Sequence, residues 1–306
     1  MNITTPHNEN RDSALEYVWE QYRIFAATSR DYKSKLFSWR FRVLILSIVG
    51  AAFGVLCQQS TGWGLESGGW QWLPRILGGI SAIAIGLATF FGREMLKSER
   101  ERNWIRSRSL AEEFKSQSYI FAANASPYDA AGACDVLLKK TEELLEMAKD
   151  LTTSSIKDSE KRRGLPPDRL SIDQYIQVRV DDQINFYRSR AAEHEKTVNT
   201  WRNVSLYFGC LAVLLGALGS TGWTAGWVGV LSSITASIAA YLYSGRYQYL
   251  VISYQATARR LELLRTRWLS SGKTDADSDE RNQFISECEE AISVENNAWM
   301  AEFAKA

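Results

Sequence analysis

The sequence predicts an all-α membrane protein with four transmembrane helices, arranged as two hairpins with long helical extensions bundled on the cytoplasmic side. Three observations support this: four long runs lack charge, the runs form two matched pairs, and the flanking segments show helical periodicity. Each run is close to the roughly 20 residues that a helix needs to cross about 30 Å of hydrocarbon. The predicted spans are residues 41–59, 76–92, 204–220 and 225–244.

The two hairpins align from end to end. Each begins after a Trp-Arg pair, turns at a Ser-Thr-Gly-Trp sequence and ends at a Gly-Arg pair. In order, these are Trp39-Arg40, Ser60-Thr61-Gly62-Trp63 and Gly92-Arg93, then Trp201-Arg202, Ser220-Thr221-Gly222-Trp223 and Gly245-Arg246. A buried helix of a soluble protein would explain one such run. Two matched pairs favour a membrane protein.

Charge is balanced overall, with 36 Lys and Arg against 35 Asp and Glu. A net charge of +1 gives no generic attraction to nucleic acid, so we expect no duplex nucleic-acid partner. Lys and Arg flank one side of the spans, which predicts that both termini are cytoplasmic. The four cysteines lack the spacing of a metal site, and no cofactor or metal is expected.

The chain divides into two units of similar plan: residues 1–151, a linker at 152–170, and residues 171–306. Adjacent prolines, Pro166 and Pro167, and a loss of periodicity mark the linker. We expect residues 1–12 to be loose and a helix to run from Leu15 into the first span. A helix should also continue from Arg93 to about Phe121, and Ser126-Pro127 should start the next one. The last helix is predicted at 279–303.

Two short segments resemble one family. These are Tyr175-Ile176 with Arg179-Val180-Asp181-Asp182-Gln183-Ile184 and Phe186-Tyr187, and Arg108-Ser109-Leu110-Ala111-Glu112-Glu113-Phe114-Lys115 leading to Ser126-Pro127-Tyr128. They resemble the SLATT superfamily, the SMODS and SLOG-associating two-transmembrane effector domains, in two tandem copies.

The resemblance implies a bacterial antiviral effector that forms a pore and depolarises the inner (cytoplasmic) membrane of an infected cell. Some members, such as Hailong-type effectors, accompany a nucleotidyltransferase whose product controls the channel. The implied partners are therefore the lipid bilayer, a nucleotide or oligonucleotide signal, and the nucleotidyltransferase that makes it.

Enzyme and coupled-transporter interpretations find little support. The only histidines are His7, in a polar tail, and His194, on an apolar helical stripe where a packing role is favoured. No phosphate-binding glycine loop or nucleophile motif is present. The interiors of the spans carry no ionisable side chain of the kind that proton or ion coupling requires. We therefore expect that the protein is not an enzyme.

One polar face remains on the fourth span. Ser233, Ser237, Tyr241 and Ser244 follow one another at steps of four, four and three residues. These side chains would line the conduction path of an oligomeric pore. The alternative is that the hydroxyls bond their own helix backbone or assist helix packing.

A site for an anionic nucleotide would combine arginines with aromatic rings on the cytoplasmic helices. Arg106 and Arg108 near Trp104, Arg259 and Arg260 near Tyr254, and Arg162 and Arg163 in the linker are the candidates. The excess of Lys and Arg on the cytoplasmic side of any membrane protein would explain them equally well.

One hairpin copy is too thin to enclose water, so a pore requires a homo-oligomer, with a tetramer favoured. We predict a pore gated by a nucleotide-type signal or a partner protein. The competing interpretation is a membrane-anchored helical scaffold that binds a cytoplasmic partner without conducting ions. The scaffold predicts that the spans tolerate any apolar sequence, whereas the pore predicts sensitivity along one face.

Overall fold

The computed structural model describes residues 6–61, 70–219, 222–272 and 277–304, and all regular structure in these ranges is helical. This confirms the all-α prediction. The helices in chain order are α1 (Pro6–Thr61), α2 (Leu73–Met95), α3 (Ser98–Ala122), α4 (Ala133–Met147), α5 (Asp158–Lys161), α6 (Ile172–Tyr175), a π-helix (Ile176–Asp181), α7 (Asp182–Ala217), α8 (Gly222–Ser244), α9 (Tyr247–Ser270) and α10 (Ser278–Ala304).

The helices form two compact units. Unit 1 comprises Met1–Ser34, Ser98–Ala191 and Ile252–Ala306, and unit 2 comprises Lys35–Lys97 and Ala192–Val251. Each unit therefore contains segments from both halves of the sequence. Unit 2 holds all four predicted apolar runs, whereas unit 1 holds the amphipathic extensions.

Within the part of the chain that the structure describes, three helical stretches are long and apolar enough to cross a membrane: Asn10–Thr61, Leu73–Met95 and Thr224–Ser270. The predicted third span, in α7, is absent from this group. Its uninterrupted apolar helix covers only residues 204–217, about 20 Å at 1.5 Å per residue, because polar residues precede it and α7 ends at Ala217. The Ser-Thr-Gly-Trp turns lie at or beyond the edges of the described residues.

Small residues hold the first hairpin together. The Ser81 hydroxyl on α2 donates a hydrogen bond of 2.7 Å to the backbone carbonyl of Gly50 on α1. A Cβ atom at Gly50 would lie 2.6 Å from a side-chain carbon of Ile85, so the close approach of these helices needs glycine there. Tight packing of small residues thus occurs between the two helices of this hairpin.

The second hairpin packs through α8. Val230, Ile234 and Ile238 form a buried row on this helix. Partly buried apolar side chains of α1, α7 and α8 surround it: Ile48, Ala52, Val55, Trp201, Val204, Phe208, Trp227 and Leu242. α8 is therefore the helix on which α1 and α7 converge.

Both returning helices are interrupted at the predicted membrane exit. α2 ends at Met95 and α3 begins at Ser98, so the helix predicted to continue from Arg93 to about Phe121 is wrong at this point. Likewise α8 ends at Ser244 and α9 begins at Tyr247. Arg246 has a left-handed backbone (φ 49°), and a Cβ at Gly245 would lie 2.3 Å from the Tyr247 ring.

Unit 1 is a helical bundle with an aromatic core. The rings of Phe25 on α1 and Phe114 on α3 stack at 5.5 Å, and the backbone N–H of Leu170 donates to the Ala122 carbonyl. Two boundaries differ from prediction. The first helix begins at Pro6 rather than Leu15, and the helix expected to start at Ser126-Pro127 begins at Ala133 after a turn.

Candidate functional site

Three residues of the predicted pore-lining face share a cleft in unit 2. Ser237, Tyr241 and Ser244 on α8 line a space of about 250 Å³ together with Arg40 and Ser47 on α1. Val43, Leu44, Leu96 and Ala240 complete its wall. Ser233, one turn before Ser237, is half-buried and lies outside this lining.

Part of this polar face is already hydrogen-bonded. The Ser244 hydroxyl donates to the Tyr241 carbonyl at 3.0 Å, and the Tyr241 and Tyr247 hydroxyls are 3.3 Å apart. On α1, the Ser47 hydroxyl donates to the Val43 carbonyl. Ser244 thus follows the alternative of bonding its own helix backbone, while a pore-lining role for the face stays a prediction.

The Tyr241 ring is held between aromatic neighbours in unit 2. Its centroid lies 5.8 Å from Trp201 and 6.1 Å from Tyr247, and Tyr247 in turn contacts His194 at 5.5 Å. His194 therefore packs against a neighbouring ring, which is the role that sequence favoured. These contacts fix the position of the phenol at the edge of the cleft.

The six candidate ligand arginines differ in their surroundings. Arg106 makes two hydrogen bonds to Asp150, at 2.8 and 2.7 Å, and Arg162 pairs with Glu16 at 2.6 Å. The Arg106 side chain lowers the pKa of the Asp150 carboxyl to about 2. Both arginines are thus engaged with carboxylates, which competes with binding of an anionic ligand.

The other four candidates fall into two groups. Arg108 on α3 donates to the Tyr254 hydroxyl on α9 at 3.2 Å, with its guanidinium 5.9 Å from the ring centroid. Because Tyr254 is itself buried, its ring face is closed to a nucleotide base. Arg163, Arg259 and Arg260 are exposed to solvent.

A buried ionic network in unit 1 was not predicted from sequence. Arg179, in the π-helix, is 0% exposed and donates to both carboxylate oxygens of Glu289 on α10, at 2.8 and 2.7 Å. The Tyr175 hydroxyl donates to the same carboxylate at 2.9 Å. The Arg179 guanidinium also lies 4.9 Å from the centroid of the Tyr119 ring on α3.

Lys115 on α3 extends this network. With the Gln183 amide turned to satisfy both neighbours, its oxygen accepts from Lys115 at 3.0 Å and from Arg179 at 3.2 Å. Burial, followed by the nearby positive charge of Arg179, lowers the pKa of Lys115. Arg179 keeps a raised pKa because Glu289 outweighs the opposing effect of its burial. The Glu289 carboxylate thus joins α6, the π-helix and α10, and the Gln183 amide adds Lys115 of α3.

A signal for this network was present in the sequence. Tyr175, Arg179 and Gln183 recur every four residues, in step with the apolar stripe that begins at Ile176. A polar side chain on a core-facing row indicates a buried partner. The partner could not be named, because Glu289 lies 110 residues away from Arg179 in the chain.

Comparison with known families identifies the second half of the chain. The family described as SMODS and SLOG-associating 2TM effector domain 1, SLATT_1, matches residues 175–299. The chain is a SLATT-type protein. Residues 20–133 match DUF4231, a family of unknown function. No curated protein and no solved structure matches the chain.

The SLATT match contains most of the buried network. Tyr175, Arg179 and Glu289 lie within it, while Lys115 lies in the segment that matches DUF4231. The residues that carried the SLATT resemblance therefore include side chains that hold unit 1 together. Asp181, in the same motif, forms an ion pair with Arg265 on α9. These residues have structural partners, so the motif is explained by packing.

The SLATT assignment and the apolar helices together make this a membrane protein of the effector type. Among the residues that the structure describes, no group of three His, Cys, Asp or Glu side chains could hold a metal ion. The polar cleft in unit 2 combines part of the predicted pore-lining face with a charged side chain, that of Arg40.

Proposed function

We propose that this SLATT-type protein is a pore-forming effector of bacterial antiviral defence, which depolarises the inner membrane and arrests growth. One observation carries the proposal: an effector-family domain, matched at residues 175–299, includes apolar helix α8 with its line of hydroxyl side chains. Polar groups on an apolar helix can line water once several copies assemble. The absence of ionisable residues inside the spans favours passive conduction over coupled transport.

In this proposal the chain crosses the membrane four times, as two hairpins with both termini in the cytoplasm. The excess of Lys and Arg on one side of the runs supports that orientation. The short apolar stretch of α7 is accommodated by local thinning of the bilayer, which costs fractions of a kcal/mol per Å of mismatch.

The pore itself is formed by several subunits, with four favoured. Unit 2 exposes large apolar side chains on α2 and α7, including Ile83, Leu206 and Val213. In a membrane these surfaces contact lipid or neighbouring subunits. Subunits that meet around Ser233 and Ser237 would place hydroxyls along the conduction path, with aliphatic neighbours as a hydrophobic gate.

Gating is assigned to unit 1. A nucleotide or oligonucleotide made by a partner nucleotidyltransferase would bind the bundle and change the population of the open pore. Arg163, Arg259 and Arg260 are the candidates for that contact, since they are exposed to solvent. Arg106 and Arg162 would first have to leave their carboxylate partners.

The test is ion flux from liposomes that contain the purified protein, with and without a nucleotide extract from its bacterial host. Flux above that of protein-free liposomes, altered by the extract, is the expected result. Absence of flux in both conditions, from protein that elutes as a folded oligomer, would contradict the pore and favour the membrane-anchored scaffold.

A further inference from the structure

The cleft that borders α1 and α8 has the chemistry of an anion site. Among the described residues that line it, Arg40 carries the charge and none is a carboxylate. Four further lining residues carry hydroxyls: Ser47, Ser237, Tyr241 and Ser244. Arginine presents up to five N–H donors in a planar fork that suits phosphate oxygens, and hydroxyls can add further donors.

Arg40 lines this cleft, and its guanidinium lies beside an aromatic ring. Arg40 lies with its central carbon 5.5 Å from the centroid of the Phe37 ring, one turn earlier on α1. Tyr241 lines the same cleft, and its hydroxyl is 3.3 Å from that of Tyr247. The positive charge and the phenol that could join it in binding an anion are therefore close together.

The hydroxyls can serve such a ligand without a change of backbone. Either tyrosine can be the donor in the contact between Tyr241 and Tyr247, so donation by Tyr247 releases the Tyr241 proton for an anion. The Ser47 and Ser244 hydroxyls donate to backbone carbonyls of their own helices. They can rotate toward a stronger, charged acceptor.

The rest of the lining indicates which phosphate compound fits. Val43, Leu44, Leu96 and Ala240 add an apolar wall beside the polar groups. In sequence, Arg40 lies at the Lys- and Arg-rich end of the spans, where lipid headgroups meet helices. A phospholipid carries both a phosphate and acyl chains, whereas inorganic phosphate has no apolar part to place against the aliphatic side chains.

We propose that the cleft formed by Arg40, Ser47, Ser237, Tyr241 and Ser244 binds the phosphate of an anionic phospholipid. The lipid would bridge α1 and α8 along the face predicted to line the pore. Basic pockets between transmembrane helices bind anionic headgroups in the same way. The site goes beyond the proposed function, because lipid could bind here whether or not the protein conducts ions.

The test is lipid retention by the full-length protein in detergent, measured by native mass spectrometry with titrated phosphatidylglycerol or phosphatidylcholine. Arg40→Gln should weaken phosphatidylglycerol binding about tenfold, the effect expected for loss of a charged hydrogen-bond donor. Arg42→Gln is the matched control, because Arg42 is exposed, packs over Trp39 and does not line the cleft. Its affinity should stay within about twofold of wild type, a change of about 0.4 kcal/mol.

A second variant tests the cleft without a change of charge. Ala240→Leu should fill the space and weaken phosphatidylglycerol binding as Arg40→Gln does. If Arg40→Gln fails to fold, the result for Ala240→Leu decides whether lipid binds in the cleft. Equal losses in Arg40→Gln and Arg42→Gln would overturn the proposal, because general attraction to basic residues would then explain binding. Arg40-dependent binding of inorganic phosphate that displaces the lipid would overturn the lipid assignment in favour of a free phosphate compound.

Discussion

Loss of the Glu289 charge should destabilise unit 1 more than any single change on its surface. Glu289 is 5% exposed and accepts three hydrogen bonds, two from Arg179 and one from Tyr175. Glu289→Gln keeps the shape of the side chain but leaves the Arg179 charge buried without its partner. Breaking a buried pair in this way costs about 3–5 kcal/mol, and the retained amide oxygen places this variant near the lower value.

The assay is denaturant unfolding of the full-length protein in detergent, followed by the fluorescence of tryptophans, which include buried Trp104 and Trp268 of unit 1. Glu290→Gln is the matched control, since this neighbouring carboxylate is exposed. It should change the free energy of unfolding by less than about 0.5 kcal/mol.

A double variant separates the ion pair from simple packing. Arg179→Met with Glu289→Leu removes both charges together, and replacing a buried pair by apolar side chains is often close to neutral. The double variant should therefore be more stable than Glu289→Gln. Equal stability of Glu289→Gln and Glu290→Gln would refute the reasoning, because the buried carboxylate would then be no more important than a solvated one.

Three further predictions concern other parts of the chain. Gly245→Ala should destabilise the protein by about 1–3 kcal/mol, measured by thermal unfolding, because the new Cβ meets the buried Tyr247 ring. Gly229→Ala is the control and should leave the stability unchanged, because open space surrounds Gly229. In a variant whose only cysteine is Cys288, the thiol should not react with maleimide at neutral pH until the protein unfolds. Burial blocks access to the thiol and raises its pKa. Asp150→Asn should lower the free energy of unfolding, and the difference from wild type should be constant above about pH 5. It should disappear as pH falls from about 4 towards 2, because the folded-state pKa of Asp150 is depressed to about 2.

Each of these has an outcome that contradicts it. Equal melting temperatures for the two glycine variants would show that the Tyr247 ring yields without cost. Rapid labelling of Cys288 in folded protein would mean that α10 opens readily. A stability difference for Asp150→Asn that persists at pH 2 would show that ionisation of the carboxyl is not the cause.

The helices were largely predictable because hydrophobic periodicity and apolar length are local properties. The final helix, predicted at 279–303, is observed at Ser278–Ala304. Gly272, just beyond the end of α9 at Ser270, has a left-handed backbone at φ 67°, a conformation typical of glycine after a helix. The interruption between Met95 and Ser98 was missed, since no glycine or proline marks it and the surrounding residues favour a continuous helix.

The candidate site was predictable only in part. The spacing of Ser237, Tyr241 and Ser244 placed them on one face, and the structure brings these three into one cleft. Their neighbours Arg40 and Ser47 lie almost 200 residues earlier, and nothing local connects those segments. The π-helix at Ile176–Asp181 was also missed, because its sequence reads as ordinary amphipathic helix and the wider turn accompanies tertiary contacts of Arg179.

Conductance across a planar bilayer tests the central claim, that copies of α8 line a pore through their polar face. Wild type should give discrete current steps, and Ser233→Leu with Ser237→Leu should abolish or strongly reduce them. Ser232→Leu, the same change at an exposed position next to that face, should conduct like wild type. Unchanged current in the double variant would contradict the assignment of this face, and the absence of current from wild-type oligomers under every condition would contradict the pore itself.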